Sequence, residues 1–520
     1  MVVGKFNYTA SGMAPRAHLA IYKVTVNRSD SLKAFEQAIS DGVDVINLSK
    51  GSDPKNNFYL DTAAFSGYKA LEKNICISVS AGNLGKPESL SHSAPWLTVV
   101  GASWPDRRLA AAVRLGDGSE FIGETGFYQP TQFNSSIFLP VVYPGANNKT
   151  QTLGCWNGSL SGINVKDKIV LCWSGKDNVN KGRVVMAAGG AAMILMGPIQ
   201  NTRNDRHVLP VSHVSQGDAQ KIIDYYKSSG GSSTPTATII FKGQESGRRP
   251  APAIAGFSSR GPSLTNGGIL KPDVIAPGFE ILGASPVQGG PFKNYFKFDS
   301  GTSMAAPHVA GVMALIKKKY PTWSPAAIQS AIITSADDVD LAGRRFTDMK
   351  TWKPADIFAR GAGHLNPPKA MDPGLVFDRN IGDYIGYMCG LGYNAATMQL
   401  IAGRPVNCST VKKIKASQLN YPSIMVTLKS TSPNETVVRT VTNVGDVNSM
   451  YKPMITHPGN ASVILSINRL QFSAQQTKAS FDVTISMVPP APKKGTITEG
   501  KLEWISNNHL VRSPIAVVFG

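Results

Sequence analysis

The sequence predicts an α/β protein: a doubly wound parallel sheet carrying an inserted β domain and closed by a C-terminal β-sandwich. Three observations point there. Between residues 17 and 103, continuous apolar runs alternate with stretches of helical spacing. From about 129 to 245 that pattern gives way to turn-rich strands, and beyond about 415 short alternating strands take over.

The first stretch opens with AHLAIYKV, a strand-like apolar run. SLKAFEQAISDG follows, with Leu32, Phe35, Ala38 and Ile39 at helical spacing. VDVINLS reads as a strand, FYLDTAAFSGYKALEKN as a helix, and ICISVSAGN and LTVVGAS as two more strands. Continuous apolar strands separated by helices imply a parallel sheet covered on both faces. Ligands of such sheets bind outside the carboxyl ends of the strands, which places segments 47–52 and 81–85 on the functional edge. The first part of this domain is expected to run from 1 to 128 and to include a hairpin turning at Gly116-Asp117-Gly118. The inserted domain, 129–245, holds two of the cysteines. Its VVMAAGGAAMILMG run is broken by Gly189 and Gly190 and is too short for a membrane span. The sheet resumes over 246–400, with LKPDVIAPG as a short strand and a strong helix from Ser303 to Lys319, whose three closing lysines suit the helix dipole. VRTVTNV, SVILSI and SFDVTIS then suggest a sandwich over 415–520.

Composition excludes several classes. With 42% hydrophobic and 17% charged residues the chain is neither disordered nor membrane-spanning. A net charge of +19 favours anionic surroundings in general. The longest basic run is only Lys317-Lys318-Lys319, so no nucleic-acid partner is expected. Five cysteines allow two bridges and one free thiol, and Cys76, in an apolar run, is the expected free one. Acceptor triplets for N-glycans begin at Asn7, Asn27, Asn134, Asn148, Asn157, Asn434 and Asn460. One more, at Asn47, falls in a strand expected to leave no room for a glycan. Cysteines and triplets together lean towards an extracellular setting. No cofactor and no metal is called for.

The chemistry centres on Ser303. A serine hydroxyl attacks only if a base takes its proton and donors await the oxyanion. Gly301-Thr302 lets the backbone turn sharply and present Ser303 at a helix entrance, where free N–H groups point outward. An isolated serine there would be an ordinary N-cap; the whole string SGTSMAAPHVAG is what sets this one apart. That string resembles the nucleophile motif of the subtilisin-like serine peptidases, and the likeness, strongest to the plant subtilases, extends along nearly the entire chain.

The resemblance implies the rest of the site. SVSAGN looks like the family's oxyanion-hole segment, which gives that role to Asn83; in subtilisin itself, the reference case, such a donor contributes roughly 3–4 kcal/mol. FSSRGPS, LKPDVIAPG, GAGHLNPPKAMDPGLVFD and LNYPSI match further landmarks. The insertion is similar to a protease-associated domain, through which self-association is allowed, and the C-terminal part, marked by RTVTNVG, to a fibronectin-III-like domain. Pairings Cys155–Cys172 and Cys389–Cys408 are implied in the same way. Substrate would be an extended peptide or protein, bound along Ser49, Lys50 and Gly51 and beside Gly301 and Thr302. Where family members carry Ser-Leu-Gly, this chain has Ser49-Lys50-Gly51. Lys50 therefore either puts a cation into the cleft or points to solvent. The loop TVNRSDS, after YKV, is shortened on the opposite edge.

One departure outweighs these. In the family a catalytic Asp, in an Asp-Ser/Thr-Gly strand end, and a catalytic His, opening a helix with His-Gly-Thr-His, precede the segment that leads into AHLAIYKV. On this reading neither motif stands anywhere in the chain, and the segment that would carry them is expected to be missing. Of the eight histidines, His18 lies in the apolar run, His308 sits about 140° around the helix from Ser303, and His92, His207, His213, His364, His457 and His509 fall in loops or other domains. The expectation is a subtilisin-like peptidase domain, incomplete at its N-terminal side, without hydrolytic activity as given. Two origins fit: an endopeptidase lacking its N-terminal part, or a short non-catalytic homologue that binds peptides or proteins.

Overall fold

The computed structural model describes residues 11–126, 133–198, 207–228, 234–247, 250–284 and 296–520, together with two short paired strands at Val2–Val3 and Phe6–Asn7. The chain forms two compact units. One comprises 1–11, 106–249 and 280–300; the other comprises 12–105, 250–279 and 301–520.

The second unit contains the parallel sheet. Val45–Leu48, Cys76–Ser80 and Thr98–Trp104 pair in parallel in that order, and Val274–Pro277 joins the far side of Thr98–Trp104, also parallel. The Cys76–Ser80 strand shows why these runs are apolar throughout. Its Ser78 hydroxyl donates to the carbonyl of Ala306 on the Thr302–Lys319 helix. Its Ile77, on the opposite face, lies where a Cβ on Gly67 of the Thr62–Glu72 helix would reach it at 2.9 Å. Both faces are covered, as a doubly wound sheet requires. The helices at Arg28–Ser40 and Thr62–Glu72 fall where the spacing puts them. The helix carrying Ser303 starts at Thr302, one residue before the expected position.

AHLAIYKV is the exception. It is not a strand: residues 17–24 form no ladder, His18 is exposed, and Leu19 and Ile21 are 84% and 82% exposed. An extended run becomes a strand only against a partner, and among the described residues no strand pairs with it. Asn47 lies in the Val45–Leu48 strand as read, but that strand is the sheet's edge, so the side chain is exposed rather than walled in.

The sandwich belongs to the same unit. One sheet is ordered Leu375–Val376, Asn434–Asn443, Lys478–Met487, Ala461–Leu465; the other is Ile424–Leu428, Leu510–Phe519, Ile497–Ile505, Ser449–Thr456, Leu470–Phe472. Their inner faces bury Trp504, Phe481, Val437 and Val517. Lys271 joins sandwich to sheet. Its ammonium, fully buried, donates to Asp273 Oδ2 at 2.6 Å, to the Leu97 carbonyl at 2.7 Å and to Tyr421 Oη at 2.8 Å, while Tyr421 donates to Asp273 Oδ1. Burial pulls the lysine's pKa down to about 8, with Asp273 working against it. Cys389 and Cys408 are bridged.

The first unit is a closed seven-strand barrel, ordered Ala192–Met196, Val211–Val214, Glu120–Glu124, Arg108–Leu115, Thr236–Glu245, Leu139–Val142 and Ile169–Trp173. The hairpin at Gly116–Gly118 is formed, but its strands are barrel strands: Arg108–Leu115 pairs along Thr236–Glu245. The expected boundary at 129 therefore falls inside this unit, whose central segment runs from 106 to 249. The Gly116-Asp117-Gly118 turn marks the hairpin correctly; its membership depends on a partner more than a hundred residues away. The VVMAAGGAAMILMG run divides between the Asn178–Ala187 helix and the Ala192–Met196 strand, with Gly189 in the left-handed region at φ 84° between them. Cys155 and Cys172 are joined in the core under that helix.

Candidate active site

Three segments of the sheet unit converge at the N-terminus of the Thr302–Lys319 helix. Thr302, fully buried, clasps the Gly82–Asn83 segment. Its N–H and its hydroxyl both donate to Asn83 Oδ1, each at 2.9 Å, and Gly82 N–H donates to Thr302 Oγ1 at 3.1 Å. Gly82 must be glycine: its φ is 103°, and a Cβ would lie 2.5 Å from Ser91 Oγ. With Asn83 Oδ1 bonded twice, the amide orientation is fixed by its partners and Nδ2 is the end left to donate. Nδ2 lies beside Gly301, 3.5 Å from where a Cβ would stand. Gly301 itself has extended backbone and its N–H donates to the carbonyl of Gly278 at 2.8 Å.

Ser303 is half-buried. Its hydroxyl donates to the carbonyl of Ser49 at 3.2 Å, and the Ser49 hydroxyl donates to the Ser303 carbonyl at 3.0 Å. Pro307, with no N–H, explains the second bond, because it leaves the Ser303 carbonyl without its helical partner. Asn47 Nδ2 in turn donates to Ser49 Oγ at 3.2 Å. The structure thus brings Ser303, Asn83, Gly301, Thr302 and Ser49–Gly51 together. A hydroxyl, an amide N–H donor and an extended segment beyond the Val45–Leu48 strand are groups of the kind that acyl transfer to a peptide carbonyl uses.

No base reaches Ser303 among the described residues. His308 folds back on its own helix, Nδ1 lying 2.8 Å from the Met304 carbonyl, and burial lowers its pKa against that bond. His364 is spent on Ser103 Oγ and the Leu365 carbonyl, and burial takes its pKa down to about 4. Contrary to the expectation that no such motif occurs, an Asp-Ser-Gly string stands at residues 299–301, immediately ahead of Ser303. Asp299 ends the Phe296–Asp299 strand, and its Oδ1 accepts the N–H of Ser300. No histidine-led helix follows it, so it does not reproduce the family's arrangement. Among the described residues no group of His, Cys, Asp or Glu is arranged to hold a metal, and no helix is long and apolar enough to cross a membrane.

Lys50 takes neither of the two courses open to it in the sequence. Its Nζ donates to the carbonyls of Thr25, Val26 and Asn27 at 3.1, 3.1 and 3.2 Å and to Ser31 Oγ at 2.9 Å. The shortened loop supplies the acceptors. Behind this edge His92, which sequence reasoning left among the loop histidines, is buried against Asp61 and the Lys50 carbonyl. A histidine beside serines gives no signal of its own; only the fold brings Asp61 to it.

With this geometry the class is defined: a serine-peptidase scaffold on a doubly wound sheet. The subtilase family profile (peptidase S8) matches residues 1–352, and a fibronectin type-III profile matches 418–517. Two Arabidopsis thaliana proteins, Subtilisin-like protease SBT1.6 and Subtilisin-like protease SBT1.2, are each 39% identical to this chain. The first likeness covers 98% of this chain and 69% of that protein, the second 99% and 68%. The chain belongs to the subtilase family of subtilisin-like serine proteases. Among solved structures, the psychrophilic subtilisin-like protease Apa1 of Pseudoalteromonas sp. AS-11 is 16% identical over 65% of this chain and 72% of its own, with a TM-score of 0.31.

Proposed function

We propose that these 520 residues form a secreted subtilase scaffold that binds extended peptide along Ser49–Gly51 and beside Asn83 and Ser303, but does not hydrolyse it. One observation carries the second half: the Ser303 hydroxyl is a donor to the Ser49 carbonyl, and among the described residues no histidine hydrogen-bonds to it. In subtilisin, removing the base costs on the order of a million-fold in kcat, nearly as much as removing the whole triad. What remains, an oxyanion donor and a binding edge, supports recognition rather than turnover. Peptides and proteins are the partners on this reading; nucleic acid and membrane are not.

The extracellular reading is supported by two disulfides and by exposure of the triplet asparagines Asn27, Asn134, Asn148, Asn157, Asn434 and Asn460; Asn7 lies outside the described side chains. The barrel unit, with its inserted position, is read as a protease-associated domain open to self-association. Fluorescent casein peptides test the proposal. They should bind the chain without being cut; cleavage, or failure to bind, would refute it.

A further inference from the structure

The Ser49–Gly51 edge is anchored from behind by a charge that peptide binding itself does not use. His92 Nδ1 lies 2.9 Å from Asp61 Oδ2 and 3.0 Å from Oδ1, and Nε2 lies 2.8 Å from the Lys50 carbonyl oxygen. A carboxylate and a carbonyl have no proton to give, so both ring nitrogens must donate, and a ring that donates twice is an imidazolium. Asp61 balances the charge. It is also the N-cap of the Thr62–Glu72 helix, Oδ1 accepting the Ala63 N–H at 2.9 Å, so the pair is tied to a rigid element. A buried ion pair is in itself weak support for stability; this one ends on a carbonyl of the substrate edge.

We propose that His92, as an imidazolium bridging Asp61 to the Lys50 carbonyl, is a positioning residue that holds Ser49–Gly51 in its peptide-binding form, and that the edge is released when His92 loses its proton. The inference rests on reading that edge as the peptide site. A neutral His92 keeps its proton on Nδ1, facing the carboxylate. Nε2 then turns a lone pair to the Lys50 oxygen, and an attraction becomes a repulsion.

Two residues act on the ring. Asp61 faces it from the helix, and Lys50 faces it with its carbonyl, the Lys50 ammonium being held by residues 25–31. Burial disfavours the charged ring, but the charge and hydrogen bond of Asp61 and the Lys50 carbonyl outweigh it, so its pKa is raised. A raised pKa means the latch is complete below the ordinary histidine value and is lost as pH climbs through the folded-state value.

The test titrates rhodamine-labelled casein peptides with the full chain, by anisotropy, from about pH 5.5 to about pH 9, beside His92→Gln. Glutamine can donate to one of the two acceptors but does not titrate. The unmutated chain should lose about tenfold in affinity on the alkaline side, the scale of one charge-assisted hydrogen bond. His92→Gln should be weak and flat. A flat profile in the unmutated chain, or an unchanged fall in His92→Gln, overturns the proposal. Absence of binding at every pH would instead sink the peptide-site reading. Long-range ¹H–¹⁵N correlation of the ¹⁵N-histidine-labelled, unmutated chain at neutral pH then decides the latch alone, and also serves if His92→Gln does not fold. A ring protonated on both nitrogens supports it; a neutral ring contradicts it.

Discussion

Ser49 and Ser303, 254 residues apart, hold each other by two reciprocal hydrogen bonds, hydroxyl to carbonyl in both directions. The arrangement seats Ser303 against the Ser49–Gly51 segment and gives its hydroxyl proton to an acceptor that cannot remove it. One of the two bonds exists because Pro307 cannot supply the helical partner of the Ser303 carbonyl.

That origin is testable by a double-mutant cycle. Ser49→Ala should cost about 1 kcal/mol in urea unfolding by leaving the Ser303 carbonyl unpaired. In a Pro307→Ala background the new N–H takes that carbonyl, and the cost of Ser49→Ala should fall towards zero. Equal costs in the two backgrounds would contradict the assignment.

Asn83 does two things with its two ends. Asn83→Ala strips Thr302 of the acceptor for both its N–H and its hydroxyl and should destabilise the chain by about 1–2 kcal/mol. Asn83→Asp keeps the acceptor while removing the donor, so its stability should stay near that of the unmutated chain. Denaturant midpoints separate the two; an Asp variant as unstable as the Ala variant would show that Oδ1 is not the anchoring end.

Tyr421 is expected to matter more than its place in a loop suggests. Tyr421→Phe removes the hydroxyl that both accepts from Lys271 and donates to Asp273 in a fully buried cluster. The loss should be roughly 1–3 kcal/mol, read from chemical unfolding of the unit that holds both sheet and sandwich. A variant within experimental error of the parent would mean that the cluster is satisfied without it.

Much of this was legible in the residues and some was not. Apolar runs long enough to be buried on both faces, such as ICISVSAG, identify their strands because their burial is a local pattern. AHLAIYKV has the same pattern and no ladder, because a strand is a property of two segments. The hairpin at 116–118 is local and was readable, whereas its place in the barrel depends on Thr236–Glu245 and was not. In the site, Asn83, which alone reads as a turn residue after a strand, is legible only beside Ser303, whereas Ser303 announces itself through a string too specific to arise by chance. Lys50 and His92 do not, since what they do is decided by carbonyls and a carboxylate from elsewhere in the chain.

Acid should weaken the barrel unit before it titrates most carboxylates. His207 and His213 are buried there with Nδ1 and Nε2, respectively, unpartnered. Burial takes His207 down to about 4, and burial together with His207 and Lys181 takes His213 down to about 3. Depressed histidine values mean the folded state prefers the neutral rings. Their stabilisation is present above the unfolded value near 6.5 and is lost as pH falls from there towards 4, about 3 kcal/mol for His207 alone. Thermal unfolding should therefore shift downwards between about pH 6.5 and about pH 5, and the shift should shrink in His207→Leu/His213→Leu. A midpoint constant over that interval would contradict the burial of neutral rings.

The central claim is that Ser303 is a correctly seated nucleophile without a base, and an active-site-directed fluorophosphonate probes that most directly. Incubated with the purified chain near neutral pH and followed by intact mass and peptide mapping, the probe should leave Ser303 unmodified. Stoichiometric labelling at Ser303, abolished by Ser303→Ala, would show that a base reaches it after all.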